Sequence, residues 1–113
     1  METTKSDWVF VVKQADIPVA GARVIEGAAA GPIAIFRSLD DVVFAVLDKC
    51  PHKGGPLSQG IVHGHAVTCP LHAWNINLAD GCALAPDTGC ARPYTTRCES
   101  GDVFLSATEL ARD

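Results

Sequence analysis

Two short stretches carry side chains suited to holding a metal. "CPHKGG" begins at Cys50 and "CPLHAW" at Cys69, and each joins a thiol, a proline and an imidazole within four residues. One residue separates Cys50 from His52, two separate Cys69 from His72, and sixteen lie between His52 and Cys69. Thiolate and imidazole together suit zinc or iron. A tetrahedral zinc site usually groups its ligands by kind, a pair of nearby cysteines and then a pair of nearby histidines. Here each loop mixes the two. Closing Cys50 and His52 of one proline-constrained loop onto a single small ion would strain side chains of unequal reach. Two adjacent metal ions relieve this, one taking Cys50 and Cys69 and the other His52 and His72. A structural zinc site is the competing reading, and it predicts a colourless protein.

The loops need elements that present them together. "WVFVVK" (8–13), "PIAIFRS" (32–38) and "DVVFAVLD" (41–48) are short, rich in β-branched and aromatic residues, and bounded by Gly, Pro or Asp, which predicts strands. "YTTRCESGDVFLS" reads as a hairpin turning at Ser100-Gly101-Asp102, and "IVHGHAVTC" as another turning at His63-Gly64. No long window shows a helical period; only "SATELARD" reads as a last helical turn or a frayed tail, and "EGAAAGP" as a flexible turn. The fold class expected is all-β, a small sandwich or barrel over residues 1–113 as a single domain. The first ligand loop leaves a strand ending near Asp48 and the second a strand ending near Thr68. The hairpin around His63 joins them, so strand pairing can bring both tips to one end of the domain.

Composition bounds the function. The chain is 48% hydrophobic and 19% charged, with a formal net charge of −4 and no basic run, so nucleic-acid binding is not expected. No apolar stretch approaches a membrane span of roughly 20 residues, and the start "METTKSDWVF" has no export signal pattern. Five cysteines, an odd number, argue against a disulfide scaffold and for reduced thiols in the cytoplasm.

The two-iron assignment resembles the Rieske [2Fe-2S] arrangement, in which two histidines replace two cysteines on one iron. Cys50-x-His52 and Cys69-x-x-His72 match that family's motif at all four ligand positions. The resemblance implies a Rieske-type fold with a cluster-binding part at about 49–90, one [2Fe-2S] cluster per chain and no catalytic residue of its own. High-potential members carry a further cysteine in each ligand loop, joined as a disulfide, and a serine after the second histidine. The positions here are Gly55, Leu71 and Trp74, which implies a ferredoxin-type centre low in the Rieske range, nearer about −150 than about +300 mV. The flanking "CPHKGGPLSQGIVHGHAVTCPLHAW" and "APDTGCARPYTTRCESGDVFL" are similar to the small subunit of assimilatory NAD(P)H-dependent nitrite reductase. That likeness implies a large partner subunit carrying FAD, an iron–sulfur cluster and sirohaem, which reduces nitrite to ammonium. The alternative is a freestanding Rieske ferredoxin serving a ring-hydroxylating dioxygenase.

Other residues receive plainer expectations. His63 and His65 are expected at a solvated hairpin tip, outside the ligand set. Cys82, Cys90 and Cys98, seven residues between neighbours, match no ligand pattern and are expected as thiols. The "PDTGC" run from Pro86 is expected to cover the cluster from a third side. Trp74 reads as core or rim packing and Lys53 as a solvated charge.

Overall fold

A computed structural model describes residues 8–51, 55–70, 73–85 and 87–112. In chain order the strands are β1 (Trp8–Lys13), β2 (Gly21–Ile25), β3 (Ile33–Arg37), β4 (Val43–Leu47), β5 (Ile61–His63), β6 (Ala66–Thr68), β7 (Asn75–Asn77), β8 (Pro93–Tyr94), β9 (Thr96–Glu99) and β10 (Asp102–Ser106), followed by one helical turn, α1 (Ala107–Leu110). They form three sheets, ordered β1-β10-β9, β2-β3-β4-β8 and β5-β6-β7, and the strand pairings are antiparallel.

The central sheet explains how so short a chain supports a separate metal-binding part. Successive residues of a strand face opposite sides, and on β3 both sides are buried. Ile33 and Ile35 join one apolar cluster with Val12, Ala45, Tyr94, Val103 and Leu105. Ala34 and Phe36 join another with Val46, Leu57, Val67, Ile76, Cys50 and Cys69. The first cluster packs the central sheet against β1-β10-β9; the second packs its other face against β5-β6-β7. This is why "PIAIFRS" reads as an unbroken apolar run rather than an alternating one.

The expected strands at 8–13, 32–38 and 41–48 are present with slightly trimmed ends. The β9–β10 hairpin turns at Ser100-Gly101, both at positive φ (51° and 82°), and Asp102 already pairs with Glu99. The β5–β6 hairpin turns one residue later than expected, at Gly64-His65, with His63 paired to Ala66. "SATELARD" does form a helical turn, its N-terminal Glu109 N–H donating to the Ser106 hydroxyl. "EGAAAGP" is more ordered than a flexible turn: Ala29 N–H donates to the Leu110 carbonyl at 2.8 Å, and Ala28 packs on the first cluster. Among the described residues no helix is long and apolar enough to cross a membrane.

Candidate metal centre

The two ligand loops are built alike. Cys50 N–H donates to the Gly55 carbonyl at 2.7 Å, and Cys69 N–H donates to the Trp74 carbonyl at 2.7 Å. Each cysteine therefore closes its loop onto the residue five positions later. Ala73 N–H adds a bond to the Cys69 carbonyl at 3.1 Å, with Ala73 at φ 59°. Cys50 and Cys69 are 3% and 2% exposed, belong to the same apolar cluster, and neither is in a disulfide. His52 and His72 lie outside the described residues, as do Lys53, Leu71 and Pro86.

Polar braces that sequence reasoning missed hold these loops. Asp48, at the end of β4, accepts from Ser58 N–H at 2.7 Å and from the Ser58 hydroxyl at 2.8 Å. That clamp ties the strand before Cys50 to the short 3₁₀ turn Leu57–Gln59, whose Leu57 is fully buried beside both cysteines. Gly60 then lies so close to β6 that a Cβ there would sit 2.2 Å from the Thr68 carbonyl oxygen. On the outer face of β5-β6-β7, His63 Nε2 lies 2.7 Å from Thr68 Oγ1, which donates to Asn75 Oδ1 at 2.7 Å. A hydroxyl has one proton to give, so His63 is the donor to Thr68. His65 reaches Asp40 on the β3–β4 turn at 3.0 Å, with its ring centroid 5.0 Å from that of Phe44. The hydroxyl of Ser38 and then the His65 ring hold the Asp40 carboxyl below the usual carboxylate range. Both histidines are exposed, as expected, yet each has a partner. Trp74 is half-buried against the cysteine cluster, in keeping with a packing role.

The third loop corrects one expectation. Cys82 and Cys90 are joined as a disulfide, across an isolated antiparallel bridge; only Cys98 among the three is outside a disulfide. The bridge is flanked by Ala83 N–H to the Gly89 carbonyl at 2.8 Å and Ala91 N–H to the Gly81 carbonyl at 2.7 Å. The signal was present in the sequence as two Gly-Cys doublets, Gly81-Cys82 and Gly89-Cys90, with both glycines at positive φ, 75° and 119°. Counting ligand spacings alone overlooked it. A Cβ on Gly89 would lie 3.1 Å from the Pro51 Cβ, so the segment containing "DTGC" does rest against the first ligand loop. Partial burial pushes the Cys98 thiol up on exposed β9.

The cysteine environment suits an iron–sulfur cluster. Two Fe(III), two sulfides and two thiolates sum to zero charge, so a [2Fe-2S] centre held by these cysteines would bring no net charge into the apolar cluster. Strand ends brought together by the sheets supply two such sulfurs from matched loops.

The comparisons agree with this chemistry. The family model for the Rieske [2Fe-2S] domain matches residues 7–98. The 3-phenylpropionate/cinnamic acid dioxygenase ferredoxin subunit of Photorhabdus laumondii is 33% identical over 103 residues, covering 89% of this chain and 95% of that protein. The oxygenase component of dicamba O-demethylase from Stenotrophomonas maltophilia is 41% identical over 70 residues, 61% of this chain; the match spans only 20% of that longer protein. Among solved structures, a ferredoxin in complex with the oxygenase of carbazole 1,9a-dioxygenase superposes with a TM-score of 0.78 at 24% identity, covering 89% of this chain and 94% of that one. A structure assigned as the small subunit of an NADPH nitrite reductase superposes with a TM-score of 0.75 at 25% identity, covering 87% and 96%. With its matched cysteine loops, three antiparallel sheets and a family match over most of its length, the chain belongs to the Rieske [2Fe-2S] domain family and is a ferredoxin-type electron carrier with a Rieske-type cluster.

Proposed function

We propose that this chain is the small Rieske subunit of an NAD(P)H-dependent nitrite reductase. Cys50 and Cys69 hold one iron and His52 and His72 the other, and when bound the cluster takes up and passes on one electron at a time. The whole chain acts as one domain, with residues 49–90 as its cluster-binding part. Leu57, Val67 and Ile76 keep water from the sulfur side of the centre, while Asp48 and Ser58 fix the first loop. The chain carries no glycine fingerprint for a nicotinamide cofactor, so the electrons come from elsewhere. A large FAD- and sirohaem-bearing partner in the cytoplasm supplies them and binds nitrite. It docks at the cluster end, around His52, His72 and the loop after Pro86.

The observation that carries this reading is the approach of Gly89 to Pro51. The Gly89 end of the segment that carries the likeness to the nitrite reductase subunit lies against the loop of Cys50, which supports its meeting a partner there. The structural likeness to a nitrite reductase small subunit over nearly its whole length supports the same reading. A freestanding ferredoxin of an aromatic dioxygenase is the second reading, favoured by the full-length ferredoxin relatives. Deleting the gene tests the two. Lost growth on nitrite as sole nitrogen source, with co-purification of a sirohaem protein, supports the proposal; unimpaired growth with loss of an aromatic oxygenase activity overturns it.

A further inference from the structure

We propose that Cys82 and Cys90 are a reversible dithiol–disulfide pair, a redox-set staple on the third loop of the metal centre. The inference rests on the Rieske centre lying beside Cys50, and not on which enzyme the chain serves. Three observations carry it. The pair lies outside the ligand set, and its bridge is already flanked by two backbone hydrogen bonds at 2.8 and 2.7 Å, so the sheet contact does not need the covalent bond. The pair lies at the surface: Cys90 is exposed and Cys82 half-buried, whereas Cys50 and Cys69 are 3% and 2% exposed. None of the loop's described residues between Cys82 and Cys90 is buried; besides the bond it is tied near its start, by the Ile76–Ala83 bridge and by Leu84 N–H to the Asn75 carbonyl at 2.8 Å. Gly89, beside Cys90, lies against the first cysteine loop, close enough that a Cβ there would be 3.1 Å from the Pro51 Cβ. Segments with few buried contacts open with low free energy, so a covalent tie at the neck governs how tightly this loop covers the first ligand loop.

The exchange partner is a dithiol. Its thiolate attacks the Cys90 sulfur, the Cys82–Cys90 bond breaks, and Cys82 leaves as a thiolate that takes up a proton. The partner's second thiolate then attacks its own sulfur in the mixed disulfide and releases Cys90. Two electrons and two protons pass to the protein, and the partner leaves as a disulfide. A disulfide oxidant such as oxidised glutathione reverses the sequence.

The test uses cluster-loaded protein purified without thiols. Native alkylation with iodoacetamide, read by peptide mass spectrometry, should label Cys98 alone; after dithiothreitol it should label Cys82 and Cys90 as well, with the visible spectrum of the cluster retained. Hydrogen exchange over residues 83–91 should rise at least fivefold on reduction, and equally in Cys82→Ser without reductant, while β5-β6-β7 stays unchanged. Labelling of Cys82 or Cys90 before reduction overturns the proposal, as does a bond that resists millimolar dithiothreitol or exchange that reduction leaves unaltered. If Cys82→Ser fails to fold, reduction of the unmodified chain decides alone. Because the cluster spectrum is recorded separately, failure here leaves the electron-carrier reading standing.

Discussion

Gly60→Ala should damage the centre without touching a ligand. Gly60 has φ −80°, which any residue adopts, so backbone strain is not the issue. Its new Cβ would stand 2.2 Å from the Thr68 carbonyl oxygen and 2.9 Å from Val67 Cγ2. An ordinary close approach of carbon to oxygen is about 3.3 Å, so β5 and β6 must part by about 1 Å or the turn before β5 must unwind. Thr68 is the residue before Cys69, and that displacement is delivered directly to the second ligand loop. Overpacking costs about 1–3 kcal/mol, and a clash this close with the β6 backbone belongs at about 3 kcal/mol. For a domain of this size that lowers the melting temperature by about 12 °C. The assay is anaerobic thermal unfolding followed in parallel by far-ultraviolet circular dichroism and by the visible band of the cluster, with iron counted per chain. Gly64→Ala is the control: nothing lies within 4 Å of its Cβ position, but φ is +55°, so it should cost about 1 kcal/mol and keep full iron. A Gly60→Ala protein that melts within a few degrees of the parent with all its iron would refute the reasoning.

Further substitutions probe the braces and the ligands. Asp48→Ala removes two bonds to a carboxylate and should cost about 2 kcal/mol, with faster loss of iron to a chelator; Asp48→Asn, which keeps one acceptor oxygen, should recover part of it. Leu57→Ala empties a fully buried site next to both cysteines and should cost about 3 kcal/mol by denaturant unfolding. His52→Ala or His72→Ala should abolish the Rieske-type EPR signal, whereas His63→Ala and His65→Ala should retain it; loss of the signal in either of the latter would show the ligands misassigned. Because Ser38 and His65 depress Asp40 in the folded chain, its contribution is present above the unfolded carboxylate value, about pH 4, and fades as pH falls through the folded value. Carbon NMR titration of Asp40 should therefore show a higher midpoint in His65→Ala, and an unchanged midpoint would remove His65 as a cause.

How much of this was legible in sequence depended on distance along the chain. β3 and β4 announce themselves because their own residues supply much of both cores, and β1 by its β-branched run, although only Val12 of it is buried. β7 hides behind two asparagines, which strands disfavour; it forms because Ile76 is fully buried in the cysteine cluster while Asn75 turns outward to Thr68. β2 is half-exposed and exists through its pairing with β3, and β8 is two residues with proline at its start, readable only once β4 is there to receive it. The two cysteine loops were legible because they repeat a local pattern. Asp48 to Ser58 and His65 to Asp40 join residues 10 and 25 apart, and no local period encodes such contacts.

The cysteine arithmetic failed in an instructive way. An odd count in a chain expected among reducing thiols argues against a structural disulfide, yet the fold sets Cys82 opposite Cys90 in an antiparallel bridge, where the sulfurs meet. The two facts are compatible if the bond is conditional. Closing a loop with a sequence separation of 8 is worth about 2.5 kcal/mol in the chain-entropy model. A domain is stable by about 5–15 kcal/mol, so opening the staple would not unfold the molecule. It would be felt most in the segment with the least burial, which is the loop itself. That loop ends against Pro51, one residue from Cys50. The free energy of a surface dithiol is therefore delivered next to the iron–sulfur centre, and the redox state of the surroundings can adjust how closely the centre is covered while both cores stay packed.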